Sequence, residues 1–240
     1  MPENPAATIR ALVCDLDGTM FDTEAMFFRV ATEMLAERGK VFTIEIMRAM
    51  IGRQPAESGL AFKTLAGLDD DPLALMEEAK DRFLGRLDDV LPMPGLRTLL
   101  DHARGLGLPL AVATSAGREY AERLLVGHGV RDRFSVVLAR EDVTRHKPDP
   151  EIYRGAARLL GAEASATLVV EDTPTGLAAA KAAGTFAVGI PHLHSPASDL
   201  GAADLLVASL DDPALLDRLG PGRRPGGDPP PESHRKVPIG

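Results

Sequence analysis

The sequence predicts an α/β protein, a doubly wound parallel sheet with an all-helical insertion after its first strand. Three observations predict it. Apolar runs such as Leu110-Ala111-Val112-Ala113 and Leu168-Val169-Val170 are continuous rather than alternating, as in strands covered by helices on both faces. From residue 95 onward such runs alternate with stretches of helical periodicity. Between the first run and this alternation, roughly residues 22–92, helical spacing continues with no strand.

Ile9 to Asp15 reads as the first, buried strand. From Thr23 to Arg38, Phe27, Val30, Ala31, Met34 and Leu35 recur at helical spacing, and Gly39 stops the helix. Thr43–Ile51 and Pro55–Ala66 are two further helices, ended by Gly52 and Gly67. Asp71-Pro72 opens a fourth, carrying apolar positions as far as Leu87. Pro92 and Pro94 close the block as a hinge. Helix Leu96–Arg104 then leads to strand Pro109–Thr114, helix Arg118–Val126 to strand Phe134–Ala139, helix Pro150–Leu160 to strand Thr167–Glu171, and helix Pro174–Ala183 to strand Phe186–Ile190. A last strand, Asp204–Ala208, and helix Pro213–Leu219 complete the series. Residues 220–240 are Gly/Pro-rich and polar and are expected to be a disordered tail.

Composition narrows the function. A chain of 240 residues, 45% hydrophobic, can bury one large core or a core plus a smaller domain. The net charge of −8 argues against a nucleic-acid surface. The single cysteine, Cys14, excludes an internal disulfide and reads as a small core residue. No secretory leader and no apolar run near the roughly 20 residues of a membrane span is visible, so a cytoplasmic protein is expected. A monomer or weak dimer is expected.

Chemistry gathers where the strands end, which is where open α/β sheets bind ligands. The first strand runs into Asp15-Leu16-Asp17-Gly18-Thr19. Residues two apart share a strand face, so the two carboxylates are expected to point the same way. At about 4 Å they repel by roughly 4 kcal/mol at an effective dielectric near 20, which a divalent cation or a shared proton removes. The second strand delivers Thr114 and Ser115 at a helix start, where free N–H groups favour anions. A proline-stiffened loop carries Lys147, and the Thr167–Glu171 strand ends in Glu171-Asp172. Hard oxygen donors without a His/Cys cluster suit Mg²⁺. A carboxylate nucleophile, a second acid as proton donor and acceptor, and lysine and hydroxyl donors for phosphoryl oxygens make up phosphoryl transfer.

The ordered set Asp15-x-Asp17-Gly18-Thr19, Thr114-Ser115, Lys147-Pro148 and Glu171-Asp172 with Gly176 resembles the haloacid dehalogenase superfamily over about residues 9–210. The resemblance is to the branch of β-phosphoglucomutases and small sugar-phosphate phosphatases. It implies a Rossmann-like catalytic core (1–21 and 93–219), a helical cap (22–92) and a small phosphorylated metabolite as partner. It implies Asp15 as nucleophile and metal ligand, and Asp17 as acid/base with its carbonyl on Mg²⁺. Thr114 and Lys147 would hold the phosphoryl group, Asp172 would ligate the metal, and Glu171 would assist directly or through water. Thr19 and Asp22 are supporting positions. True dehalogenases of the superfamily lack the second aspartate, so Asp17 favours phosphate chemistry. Mutases of the branch often carry a cap histidine where this chain has Phe27. Hydrolysis of a phosphate monoester is therefore the expected activity. A phosphomutase is the rival, and a non-catalytic binding protein on the same scaffold the third reading.

Further candidates for substrate contact are Ser115, Arg118, Arg53 with Gln54, and Phe28, whereas Phe27 fits the core stripe. His146 adjoins the lysine loop. His192 and His194 are expected to be surface-loop histidines.

Overall fold

A computed structural model describes residues 8–50, 55–192 and 195–221. Arg53, Gln54 and His194, and the tail from residue 222, lie outside these. β1 (Ala11–Cys14) is wholly buried. It leads into α1 (Thr23–Glu37), α2 (Ile44–Met50), α3 (Pro55–Ala66) and α4 (Pro72–Leu84). The remaining chain runs α5 (Leu96–Gly105), β2 (Leu110–Ala113), α6 (Arg118–Gly127), β3 (Val136–Leu138), α7 (Glu151–Leu159), β4 (Thr167–Glu171), α8 (Pro174–Ala183), β5 (Phe186–Gly189), β6 (Leu205–Leu206) and α9 (Pro213–Leu219). The six strands pair in the order β3-β2-β1-β4-β5-β6, every pair parallel.

Strand periodicity splits the apolar residues between two cores. Leu12, Cys14, Val112, Val170 and Val188 face one side, with α5 and α6. Val13, Ala111, Ala113, Val169 and Ala187 face the other, with Tyr153 of α7 and Leu177 of α8. Both faces are covered, which is why the strand sequences do not alternate. Cys14 is buried, and burial, with Asp15 beside it, pushes its thiol up to about 12.

The helical block joins the sheet through two chain crossings lying side by side. Phe21 bridges Pro92, Asp22 N–H donates to Leu91 O at 2.8 Å, and Met93 N–H donates to Met20 O at 2.9 Å. Asp22 also caps α1 by accepting from Ala25 N–H. Several expected elements come out shorter, the first and third strands among them. The fourth helix stops at Leu84 with Gly85 as its cap, and Leu87–Asp89 forms a separate 3₁₀ turn. The last strand shrinks to Leu205–Leu206, because an edge strand has a partner on one side only.

Candidate active site

Strand order reverses at β1, with β2 on one side and β4 on the other. Such a switch point opens a crevice at the strand C-termini. Register fixes what lines it. Cys14 pairs with Val170 and with Val112, and Asp15 N–H donates to Val170 O at 3.0 Å. Asp15, the β4 end Glu171-Asp172, and Thr114 thus leave the sheet together.

Lys147 reaches into this crevice and is buried. Its Nζ donates to Asp15 Oδ1 at 2.5 Å, to Glu171 Oε1 at 2.7 Å and to Ala113 O at 3.0 Å. Burial alone lowers the ammonium's pKa, but Asp15 and Glu171 outweigh that and push it up. Glu171 also accepts from the Tyr153 hydroxyl, from the backbone N–H groups of Asp172 and Thr173, and from Thr173 Oγ1. Burial opposes its charge, yet Lys147 and these donors hold it below the usual carboxylate range. Only glycine fits at position 176, where a β-carbon would lie 1.8 Å from Glu171 Oε1.

Asp172 is gripped at both oxygens. Thr19 Oγ1 donates to Oδ1 at 2.6 Å, and His192 Nε2 donates to Oδ2 at 2.9 Å. Gly18, at φ 75°, lies so near that a β-carbon there would be 2.2 Å from Oδ2. One oxygen each from Asp15, Glu171 and Asp172 lie within 4.8 Å of one another. Burial raises the pKa of Asp15, only partly countered by Lys147, and burial likewise raises that of Asp172, partly countered by His192.

Asp17 departs from expectation. The i, i+2 rule holds inside a strand, but β1 ends at Cys14 and the chain turns, Gly18 N–H donating to Phe21 O at 2.9 Å. The Asp17 carboxylate accepts from the Tyr120 hydroxyl at 2.6 Å and from the Thr23 hydroxyl. The crowding expected between Asp15 and Asp17 lies instead among Asp15, Glu171 and Asp172. Burial raises Asp17, and the Tyr120 and Thr23 hydrogen bonds pull it part of the way back.

Other candidates distribute unevenly. Thr114 is buried and accepts from Ala116 N–H, while Ser115 is exposed. At the start of α6 the Arg118 N–H is taken, since Glu141 Oε2 accepts from it at 3.0 Å. The Arg118 guanidinium is paired with Asp142 and the Val137 carbonyl, so it is not among the groups brought to the crevice. His146 is exposed. Phe27, expected in the core, is half-buried and lines a cavity of about 440 Å³ with Asp17, Tyr120, Met47, Met76 and Lys80. Phe28 lines a second cavity, of about 570 Å³, with Gly18, Asp22 and His192.

His192 corrects the surface-loop expectation: its side chain is 14% exposed and its Nδ1 faces Glu24 Oε2 of α1 at 3.2 Å. Asp172 and Glu24 push the imidazole up to about 10 against the opposing effect of burial. Tyr120, Tyr153 and His192 were all missed from sequence. His192 was the most accessible of them, since it stands just past a strand that neighbours β4 and thus at the same sheet edge.

Carboxylates held around one lysine at the switch point of a doubly wound sheet, under a helical cap, define a capped α/β hydrolase of phosphoric monoesters. The sequence matches the haloacid dehalogenase-like hydrolase family over residues 12–190, and the chain belongs to that family. It is 34% identical over 200 residues to validoxylamine A 7'-phosphate phosphatase of Streptomyces hygroscopicus subsp. limoneus, covering 82% of this chain and 92% of that protein. It is 34% identical over 181 residues to fructose-1-phosphate phosphatase YqaB of Escherichia coli, covering 75% of this chain and 95% of that one. The crystal structure of CbbY from Rhodobacter sphaeroides in complex with phosphate superposes with a TM-score of 0.68 at 28% identity, covering 88% of this chain and all of that one. Among the described residues no helix is long and apolar enough to cross a membrane.

Proposed function

We propose that the protein is a Mg²⁺-dependent phosphatase that hydrolyses a small phosphate monoester, a sugar phosphate or similar metabolite, through an aspartyl phosphate on Asp15. The observation that carries this reading is the Lys147–Asp15 contact inside an excess of buried carboxylate. Three acids face one lysine and one imidazole, and a divalent cation offsets the surplus negative charge. The oxygen donors fit Mg²⁺. Glu171 accepts from Lys147 and Tyr153 at one oxygen and from the turn after β4 at the other. In this reading, therefore, Asp15 and Asp172, with the Asp17 main-chain carbonyl, would hold the ion, and Glu171 would assist directly or through water. Bound there, the ion supplies neutralisation of phosphoryl charge.

In this reading an Asp15 oxygen attacks phosphorus as the bond to the leaving oxygen breaks, and Asp17 gives that oxygen its proton. Asp17 then takes a proton from water, whose oxygen attacks phosphorus and breaks the bond to Asp15. Phosphate leaves and both aspartates are restored. Lys147, Thr114 and Ser115 stabilise the equatorial oxygens. The helical block 22–92 acts as the cap and shields the cavity beside Asp17 from bulk water. Phe27, where related mutases often carry histidine, lines that cavity and supports hydrolysis over isomer transfer.

Phosphate release from p-nitrophenyl phosphate and a sugar-phosphate panel, with Mg²⁺ or with chelator, tests this. Turnover that needs Mg²⁺ and drops about 10⁴-fold or more in Asp15→Asn, with the fold intact, is expected. Equal turnover in chelator, or wild-type rates in Asp15→Asn, would overturn it.

A further inference from the structure

His192 touches both halves of the molecule. On the core side its Nε2 donates to Asp172 Oδ2 at 2.9 Å, and on the cap side its Nδ1 faces Glu24 Oε2 at 3.2 Å. Glu24 lies in the first turn of α1, directly after the crossings that join the helical block to the sheet. Both ring nitrogens therefore have a carboxylate oxygen to donate to, which fixes the plane of the imidazole. The other Asp172 oxygen is held by Thr19 from the loop after β1. The Asp172 carboxylate is thus oriented once by its own domain and once by a ring anchored on the cap. The bridge also separates two spaces, since Glu24 lines both the 440 Å³ cavity beside Asp17 and the 570 Å³ cavity beside Gly18 and His192.

We infer that His192 is a positioning residue, and that the Glu24–His192–Asp172 bridge couples the seating of the cap to divalent-cation binding. The inference rests on the phosphatase reading of the site. When α1 moves away from the core, the Nδ1 contact with Glu24 is lost, and with it the cap's hold on the ring that orients Asp172. When the cap seats, both contacts form and the carboxylate is aimed. Coupling of this kind is reciprocal, so the cation favours the seated cap as much as the seated cap favours the cation.

Calorimetric titration of Mg²⁺ into the substrate-free protein, hydrogen exchange along α1, and phosphate release from p-nitrophenyl phosphate are measured on wild type, His192→Ala, Glu24→Ala and the double variant. His192→Ala is expected to weaken Mg²⁺ binding about 10–100-fold, as loss of a partner behind a metal ligand does. Glu24→Ala weakens it about 5-fold or more. The double variant binds no more weakly than His192→Ala, because Glu24 acts through the ring. Mg²⁺ slows exchange at the start of α1 in wild type and not in the variants. Wild-type Mg²⁺ affinity in Glu24→Ala, or losses that multiply in the double variant, would overturn the inference. Glu24 is partly exposed at a helix end, so Glu24→Ala keeps the question answerable if His192→Ala does not fold. A wild type that shows this coupling but releases no phosphate sinks the phosphatase reading alone. One that releases phosphate without the coupling sinks the bridge alone.

Discussion

The Tyr120 hydroxyl donates to Asp17 Oδ1 at 2.6 Å, joining α6 to the loop after β1 across 103 residues of sequence. The Tyr120 ring also packs toward Phe83 of α4, with centroids 6.1 Å apart. The proposed acid/base is therefore oriented by a side chain at the seam between cap and core.

Tyr120→Phe removes that donor and keeps the ring. A hydrogen bond to a charged group is worth about 1.5–3 kcal/mol, so kcat is expected to fall about 10–100-fold with KM little changed. The Tyr120 bond lowers the Asp17 pKa, so its loss raises that pKa further. The pH profile of phosphate release then moves to higher pH. A profile that stays put or moves to lower pH removes Asp17 from the acid/base role.

Lys147→Ala leaves two buried carboxylates without their cation. Breaking a buried pair by removing one partner costs about 3–5 kcal/mol. The side chains involved are almost wholly buried, 6% exposed for Lys147 and 10% for Asp15, so solvent screening is slight. Chemical denaturation in chelator measures the loss, and a change below about 1 kcal/mol would show that Lys147 does not hold this cluster.

Gly18→Ala is expected to weaken Mg²⁺ binding, because φ 75° disfavours a side chain and the new β-carbon would sit 2.2 Å from Asp172 Oδ2. The carboxylate must turn, and a shift of about tenfold or more in the Mg²⁺ requirement follows. Unchanged Mg²⁺ dependence would show that the orientation of Asp172 does not matter.

Without metal, stability is expected to fall as pH rises from about 5 to 9. Asp15 and Asp172 have folded pKa values above their unfolded ones, so the folded state binds more protons and acidification through those values stabilises it. His192, raised to about 10, contributes stability that is complete below its unfolded value near 6.5 and is lost as pH climbs toward 10. Glu171 has the opposite sign, but its contribution is lost only below its unfolded value near 4.3, outside this window. Scanning calorimetry in chelator at several pH values checks the slope. A Tm that rises between pH 5 and 9 contradicts the shifts.

Much of the fold was legible in the sequence because its signals are local. Continuous apolar strands, a Pro at the first turn of α4, α8 and α9, and glycine stops are written within a few residues of the elements they define. Asp15, Lys147, Glu171 and Asp172 were legible as candidates because strand ends mark the ligand edge of an open sheet. Their grouping follows from register, which sets Cys14 beside Val170. Local rules misled where the chain leaves regular structure. Asp17 was read by strand periodicity but lies past the strand, and Arg118 was read as a ligand contact although Asp142 takes its guanidinium.

By itself the sequence determined the layered α/β architecture, the helical insertion and the residue types at the sheet edge, because periodicity and turn chemistry depend on neighbours along the chain. Only the tertiary structure decided the partners. Thr19 meets Asp172 across 153 residues, Lys147 meets Asp15 across 132, and Glu24 meets the ring of His192. Contacts of that range are fixed by strand order and by how the cap lies on the core, and no local pattern encodes either.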